Sequence, residues 1–504
     1  MKSLQSIFIF KGKDLKTLLL FAFIFMIILC FYLFKQKLYL FDTDDWINIS
    51  NNRSFLPKWG GFNPAKVLPE TLLPIVTYIG HFLIYPFKHD LVISSHITYS
   101  IFFSVLITAN VICFVKVAEV SNFFIKVLLS LFVVFVLATF CYQNENNKDF
   151  LLSNVSVTTI FHYNIPVLLN CLAVFYLISI RDSFTLKQSK KKTTIQALAF
   201  YYVIFSNLYA NVILVSYSCS ILFQFIFKRF LLKNNRSMPS IVPHMYCALL
   251  WLISAIFEYN GGRAKGIETN FLDYILLSIE YVGIVYKSIN SALLIFFLLI
   301  SFIAIFTICI YKNNNKIIKI ALGGVLTSLI SWTGLIVYLC VLGSKTGPGY
   351  LLSSATRLAF YFFPLLIAFF FISILFHFYK KSITIFTVTS SIVLIYQFGT
   401  TMNSIRYTNF QGINPDLAYS IIEDMHGQLI DEAKEDKQPI IIKVPKLQCG
   451  ADDNWPLALY GGNRFAKSFY RYGDLDHKVE ATFVDDYNKN IKFGLNDDRV
   501  NCVR

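Results

Sequence analysis

The stretch LKTLLLFAFIFMIILCFYLF at residues 15–34 is followed, a few residues later, by DTDDW at residues 42–46. A helix of about 20 apolar residues can cross the hydrocarbon core of a bilayer. The apolar stretch is too long for a signal-peptide core, and no small-residue cleavage site follows it, so we interpret it as a retained anchor. Three carboxylates and Trp46 are therefore expected where this first span leaves the membrane.

The remaining chain reads mostly as further spans. It has 504 residues, of which 56% are hydrophobic and only 15% are charged, whereas soluble domains carry about a quarter charged residues. We therefore predict an all-α polytopic membrane protein with about eleven transmembrane helices. The predicted spans are residues 15–34, 91–115, 122–141, 163–180, 195–207, 209–227, 241–257, 289–311, 317–342, 358–379 and 383–400.

Two segments depart from the simple pattern of long spans. Residues 195–227 contain two short apolar runs with a turn expected near Ser206 and Asn207, which fits a helical hairpin or a re-entrant segment. Residues 71–87 are apolar but hold Pro74 and Pro86. For residues 71–87, a helix that lies in the outer interface is favoured over a full span.

Basic residues are concentrated in alternate connections, and this predicts the orientation of the chain. By the positive-inside rule, the connections rich in Lys and Arg are cytoplasmic. These cations are Lys2, Lys11, Lys13, Lys16, Lys116, Lys126, Arg181, Lys187, Lys190, Lys191, Lys192, Lys228, Arg229, Lys233, Arg236, Lys312, Lys316, Lys319, Lys380 and Lys381. The opposite connections, at 42–46, 142–162, 258–288 and 343–357, are then outside, together with the C-terminal tail. The net charge of +15 is thus mainly a topology signal and does not indicate nucleic-acid binding.

The chain is expected to divide into a membrane domain at residues 1–400, with an outer loop at 38–90, and a polar outer domain at residues 401–504. In the tail, 418–433 has helical spacing, 439–445 is a β-rich run between prolines, and 457–472 is a second candidate helix. A small α/β domain is therefore predicted. Its cysteines, Cys449 and Cys502, could form a disulfide or remain free thiols.

The acidic cluster at 42–46 allows two interpretations. It could be a solvated interfacial loop with Trp46 as a membrane-interface anchor. Alternatively, closely spaced carboxylates raise the pKa of at least one member, which suits a general base. On the second interpretation Asp44 and Asp45 are the catalytic candidates, and Asp42 is an additional residue that could contact substrate.

Cations in other outer connections could bind a phosphate. Arg263 follows a glycine pair, and Lys345 and Arg357 flank the TGPGY run at 346–350. An Arg fork matches phosphate oxygens and Lys supplies a point charge, although snorkelling at the interface is an equally good explanation. His162 stands at the start of the next span and could contact substrate, but a capping or interfacial role is favoured.

This layout resembles the GT-C glycosyltransferases, polytopic enzymes that use polyprenyl-phosphate sugars and carry an acidic motif after the first span, as Asp44 and Asp45 stand here. It is more closely similar to bacterial, phage-encoded serotype-converting O-antigen glucosyltransferases. The shared features are chain length, many spans, the acidic pair, and a polar tail in which a strand at 441–445 is followed by NRFAKSFY at 463–470.

The resemblance implies a reaction at the periplasmic face of the bacterial inner membrane. Undecaprenyl-phosphate-glucose would be the donor and lipid-linked O-antigen the acceptor, with inversion at the anomeric carbon and with no cofactor or metal. Two other functions remain open: an O-antigen polymerase or ligase, whose cations would lie in a late outer loop, and a transporter or lipid flippase, which would place charges deep within its spans.

Overall fold

Helices form most of the chain. The computed structural model describes residues 15–120, 122–139, 152, 156–180, 190–231, 241–262, 271–311, 316–401, 413–435, 438–447 and 454–495. The helices are α1 (Leu15–Cys30), α2 (Thr43–Ser50), α3 (Val67–Leu83), α4 (Tyr85–Lys88), α5 (Leu91–Val117), α6 (Phe123–Thr139), α7 (Val157–Thr159), α8 (Ile165–Ile180), α9 (Lys190–Ile204), α10 (Leu208–Ile226), α11 (Val242–Tyr259), α12 (Phe271–Lys287), α13 (Ser291–Ile310), α14 (Lys316–Thr346), α15 (Gly349–Leu352), α16 (Ser354–Phe378), α17 (Lys380–Thr401), α18 (Pro415–Lys434), α19 (Gly462–Arg471) and α20 (Tyr487–Lys492). The strands are β1 (Ile440–Val444) and β2 (Ala481–Asp485).

Within the described ranges, eight helical segments are long and apolar enough to cross a membrane. They are Leu15–Lys35, Leu91–Val117, Val157–Ile180, Leu208–Phe230, Val242–Tyr259, Ser291–Ile310, Ile317–Thr346 and Ala355–Phe378. The segment Ser291–Ile310 has a mean hydropathy of 3.1, yet only 22% of it is buried inside the protein. So large an exposed apolar surface belongs in lipid, and the protein is therefore a multi-pass membrane protein.

The helix α16 lies at the centre of the bundle. Its apolar segment is 89% buried, against 22% for the segment that begins with α1. It packs on α14, α13, α10 and α5, and its Phe side chains fill the space between them. The outer helices thus surround a Phe-rich core and turn their other faces to lipid.

Each of the eight long segments overlaps a predicted span. The predicted spans at 122–141, 195–207 and 383–400 correspond to α6, α9 and α17, which are helical but outside the long apolar set in the described chain. The total of about eleven spans therefore stays a prediction. The sequence also predicted that α3 lies in the membrane interface, and this orientation stays a prediction.

Two details of the connections can be compared with the sequence. The turn expected near Ser206 and Asn207 is confirmed, because Asn207 Oδ1 caps α10 by accepting from the Tyr209 N–H at 2.8 Å. The connection at 258–288, however, contains a helix that was not predicted, since α12 occupies much of it. Asp273 and Glu280 interrupt its apolar pattern and hid the helix from a search for uncharged runs.

The tail contains a two-stranded parallel sheet that is covered by α18. Ile440 pairs with Ala481 and Val444 with Asp485, and α18 packs on β1. The helix at 418–433 and the strand at 439–445 are confirmed, whereas β2 and α20 were missed. Cys449 and Cys502 lie outside the described residues, so the disulfide stays a prediction.

The tail docks on the segment that follows the first span. The Thr43 N–H and Oγ1–H both donate to the Pro456 carbonyl, at 2.9 and 2.8 Å, and the Ala458 N–H donates back to Thr43 Oγ1 at 2.9 Å. Trp46 is fully buried and stacks on Phe469 at 5.6 Å between ring centroids. The interpretation of Trp46 as a membrane-interface anchor is therefore wrong: it joins the two parts of the protein.

Candidate functional site

A capping box organises the acidic cluster. Asp42 is the N-cap of α2, and its Oδ1 accepts from the Asp44 N–H at 3.0 Å. Asp45 Oδ2 reaches back and accepts from the N–H groups of Asp42 and Phe41, both at 3.1 Å. Two of the three acids thus satisfy helix-end amides that would otherwise lack partners.

Asp45 also fixes a second segment. It is fully buried, and its Oδ1 accepts from the Thr158 N–H at 2.7 Å. Burial raises the pKa of Asp45 to about 6, against the opposing effect of these amide bonds. Burial, followed by repulsion from Asp45, raises the pKa of Asp42. The carboxylate of Asp45 therefore holds α2 against α7.

We expect Asp45→Asn to lower stability. Asn can accept with only one side-chain atom, so its NH₂ group would face either the Thr158 amide or the amides of Phe41 and Asp42. An unsatisfied buried donor costs about 1–3 kcal/mol. The measurement is the thermal unfolding midpoint of the purified protein. An unchanged midpoint would contradict the structural role given to Asp45.

Asp44, unlike Asp45, faces a cavity. It is half-buried and lines a cavity of about 970 Å³ beside the ends of several helices. The lining residues are Asp44, Ile47, Asn48, Asn51, Asn52, Arg53, Ser54, Leu56, Lys58, Gly61, Phe62, Asn63, Lys66, Glu70, Thr158, Thr159, His162, Tyr163, Tyr350, Ser353, Ala355, Trp455 and Tyr460. The two acids of the predicted catalytic pair are thus separated, with Asp44 on the cavity wall and Asp45 behind it.

Lys66 is a cavity residue to which the sequence analysis gave no role. It directly precedes α3, is only 6% exposed, and its Nζ lies 5.6 Å from the centroid of the Tyr163 ring. Lys58 is exposed and lines the same cavity. The burial of Lys66 could not be read from its position before the apolar run of α3.

Arg53 also lines the cavity, but its guanidinium binds backbone carbonyls of the loop between α2 and α3. It donates to the carbonyls of Asn63 and Pro64, both at 2.6 Å, and forms an ion pair with Glu70. These bonds fold the loop between α2 and α3 back onto itself. Arg53 is therefore a positioning residue for the cavity wall.

The predicted binding residues fall into three groups. His162 lies in a π-helical turn, is 5% exposed and lines the cavity. Lys345 and Arg357 do not line the cavity. Lys345 is exposed at the end of α14, and Arg357 donates from Nη2 to the Leu352 carbonyl at 3.1 Å. Arg263 lies outside the described residues.

The tail supplies part of the cavity wall. Trp455 and Tyr460 line it together with residues of the loop between α2 and α3, and Tyr350 and Ser353 contribute from the connection before α16. The sequence analysis missed both tail residues. No local pattern marks them, because their neighbours in the cavity lie hundreds of residues away.

The geometry provides the elements of a transfer site for a polar substrate. Two carboxylates line this space, Asp44 and the Glu70 that pairs with Arg53. A buried ammonium, an imidazole and several aromatic rings also line it, and it is large enough for a saccharide. Within the described parts of the chain, no group of three or more His, Cys, Asp or Glu side chains comes together as a metal site would.

Comparisons with known proteins leave this site to be interpreted on its own chemistry. No protein-family model, no curated protein and no solved structure matches the chain.

Proposed function

We propose that the protein is an inverting glycosyltransferase of the GT-C type, with about eleven spans. It takes a glucosyl residue from undecaprenyl-phosphate-glucose and transfers it to lipid-linked O-antigen. In this proposal the cavity faces the periplasm, and the protein lies in the bacterial inner membrane. The observation that carries the proposal is the position of Asp44 on a large cavity at the exit of the first span.

Asp44 is the general base of the proposed reaction. It accepts the proton of the acceptor hydroxyl while that oxygen attacks the anomeric carbon. The bond from this carbon to the phosphate oxygen breaks, and the lipid phosphate leaves with the electron pair. A single displacement of this kind inverts the anomeric centre. Asp42 and Asp45 hold α2 in place, so that the carboxylate of Asp44 is preorganised.

Lys66 is the residue best placed to stabilise the leaving phosphate. A buried ammonium acts in a medium of low dielectric, where its attraction for developing negative charge is strong. Lys58 adds a second, exposed charge on the same wall. The phosphate-binding roles expected for Arg263, Lys345 and Arg357 stay predictions. His162 remains a candidate contact to the sugar.

The lining of the cavity favours a transferase over a transporter. Its residues come from helix ends and from connections, at 44–70, 158–163, 350–355 and 455–460. A transport pathway would instead continue between the spans and place polar groups around broken helices there. A polymerase or ligase would share the same substrates, and the product distinguishes it from a transferase.

The proposal is tested by expressing the protein in a bacterium with a defined O-antigen and a supply of undecaprenyl-phosphate-glucose. Structural analysis of the polysaccharide should show one new glucosyl branch per repeat unit, with the chain length unchanged. A changed distribution of chain lengths without a branch would identify a polymerase or ligase. An unmodified polysaccharide in the presence of inserted protein would overturn the transferase.

A further inference from the structure

The tail helix α19 and the loop that follows it carry four cations. Arg464, Lys467 and Arg471 follow the spacing of one helix face, and Lys478 lies in the loop after the helix. We name these residues the α19 cation cluster. Partial burial, and then repulsion from the other three members, lower the pKa of Lys467, which shows how closely the charges are gathered.

Neutral groups, and not carboxylates, hold this cluster. Arg464 Nη1 and Lys467 Nζ both donate to Asn51 Oδ1, at 3.0 and 3.1 Å. Arg471 donates to Asn52 and, at 2.6 Å, to the hydroxyl of Tyr78. Across the residues that the structure describes, no acid forms an ion pair with any of the four. Like charges at such spacing repel and destabilise a helix, so their grouping indicates an anionic ligand.

The neighbouring helix α3 indicates which kind of anionic ligand the α19 cation cluster would bind. At 17 residues α3 is at the lower limit of length for a span, and it falls outside the set of long apolar segments in the described chain. One face packs on α5, while the other exposes a stripe that continues into α4. The exposed apolar residues of this stripe are Ile75, Ile79, Phe82, Leu83 and Phe87. We infer that α3 lies at the membrane interface, as its sequence predicts, with the exposed apolar stripe among the acyl chains.

The cation cluster adjoins this stripe directly. The guanidinium of Arg471 lies 4.9 Å from the centroid of the Tyr78 ring, and that ring stacks on Phe82 at 6.4 Å. A cation beside a membrane-inserted aromatic residue stands at the level of lipid headgroups.

We propose that the α19 cation cluster binds the phosphate of an anionic lipid headgroup in the leaflet that holds α3. The lipid then contacts both the tail and the first outer loop, since Asn51 and Asn52 bridge the cluster to the cavity wall. This site is independent of the proposed transfer reaction and would hold for any chemistry in the cavity.

The test compares lipid binding by the purified full-length protein in detergent. Phosphatidylglycerol or phosphatidylcholine is titrated, and native mass spectrometry counts the bound lipids. Lys467→Gln combined with Lys478→Gln removes two exposed members and keeps the arginines that dock the tail. The matched control is Lys434→Gln combined with Lys443→Gln, which removes two tail lysines that pair with Asp431 and Asp486.

We expect the wild type and the control to prefer phosphatidylglycerol. The cluster variant should bind it about 30-fold more weakly, since it lacks two cations and each contributes about 1 kcal/mol near a membrane surface. Unchanged phosphatidylglycerol binding by the cluster variant would overturn the proposal. Equal weakening in the control would also overturn it. Displacement of the lipid by inorganic phosphate at matched concentration would assign the cluster to a soluble anion and reject the lipid site.

Discussion

Asp44→Asn is expected to abolish glucosyl transfer while the protein still folds and inserts. Asn keeps the size of the side chain but lacks the basic oxygen, and proton-transfer catalysis is worth typically about 10²–10⁴-fold in rate. Because Asp44 is half-buried on the cavity wall, its replacement should leave the thermal unfolding midpoint close to that of the wild type. The measurement is O-antigen glucosylation in cells, normalised to the amount of inserted protein.

Two variants serve as controls for this experiment. Asp431→Asn removes the charge of an exposed tail carboxylate that pairs with Lys434 in a helix turn, and it should keep full activity. The Asp45→Asn variant should be less stable than the wild type. Its activity should fall only in proportion to the amount of folded protein. If Asp44→Asn transfers glucose at the wild-type rate, the acid–base mechanism proposed for this cavity is wrong.

Trp46→Ala is expected to detach the tail from the first outer loop. The ring of Trp46 is fully buried between Phe465 and Phe469, at centroid distances of 4.7 and 5.6 Å. Removal of a buried Trp costs about 3–5 kcal/mol. This stabilisation is lost from the contact between α2 and the tail, which places Trp455 and Tyr460 on the cavity wall. Activity should therefore fall together with stability.

The measurement is limited proteolysis of the membrane-inserted protein, with release of the tail followed over time. Trp59→Ala is the matched control, because Trp59 is 60% exposed in the same loop and its loss should leave the rate unchanged. A tail as resistant to protease in Trp46→Ala as in the wild type would show that the ring does not hold the two parts together.

The sequence was sufficient for the features that depend on neighbouring residues. Long apolar runs predicted each of the eight long segments, and Asn207 at a break in such a run predicted the turn before α10. The acidic cluster drew attention to α2, and Asp44 does line the cavity. The β-rich run between Pro439 and Pro445 likewise predicted β1, in which buried and exposed residues alternate.

The features that depend on distant contacts were not accessible in this way. Adjacent positions such as Asp44 and Asp45 point to different sides of a helix, but the sequence does not show which side is buried. The amides of Phe41, Asp42 and Thr158 bind Asp45 and so distinguish the two. The sequence does not distinguish a surface lysine from a buried one, so no role was predicted for Lys66. The strand β2 was missed because a five-residue parallel strand is recognised by its partner, which lies far earlier in the chain.

The bond between Thr43 and Pro456 joins positions 413 residues apart. At about 5–20 residues per second, roughly 20–80 s of synthesis separate the emergence of these two residues from the ribosome. During that interval the first loop is already made, while the surface of Trp46 has no partner to cover it. The cavity wall is thus completed only after Trp455 and Tyr460 have been made. A nascent chain that stops before these residues lacks part of the wall, and it exposes an aromatic surface that quality-control proteases and chaperones can recognise.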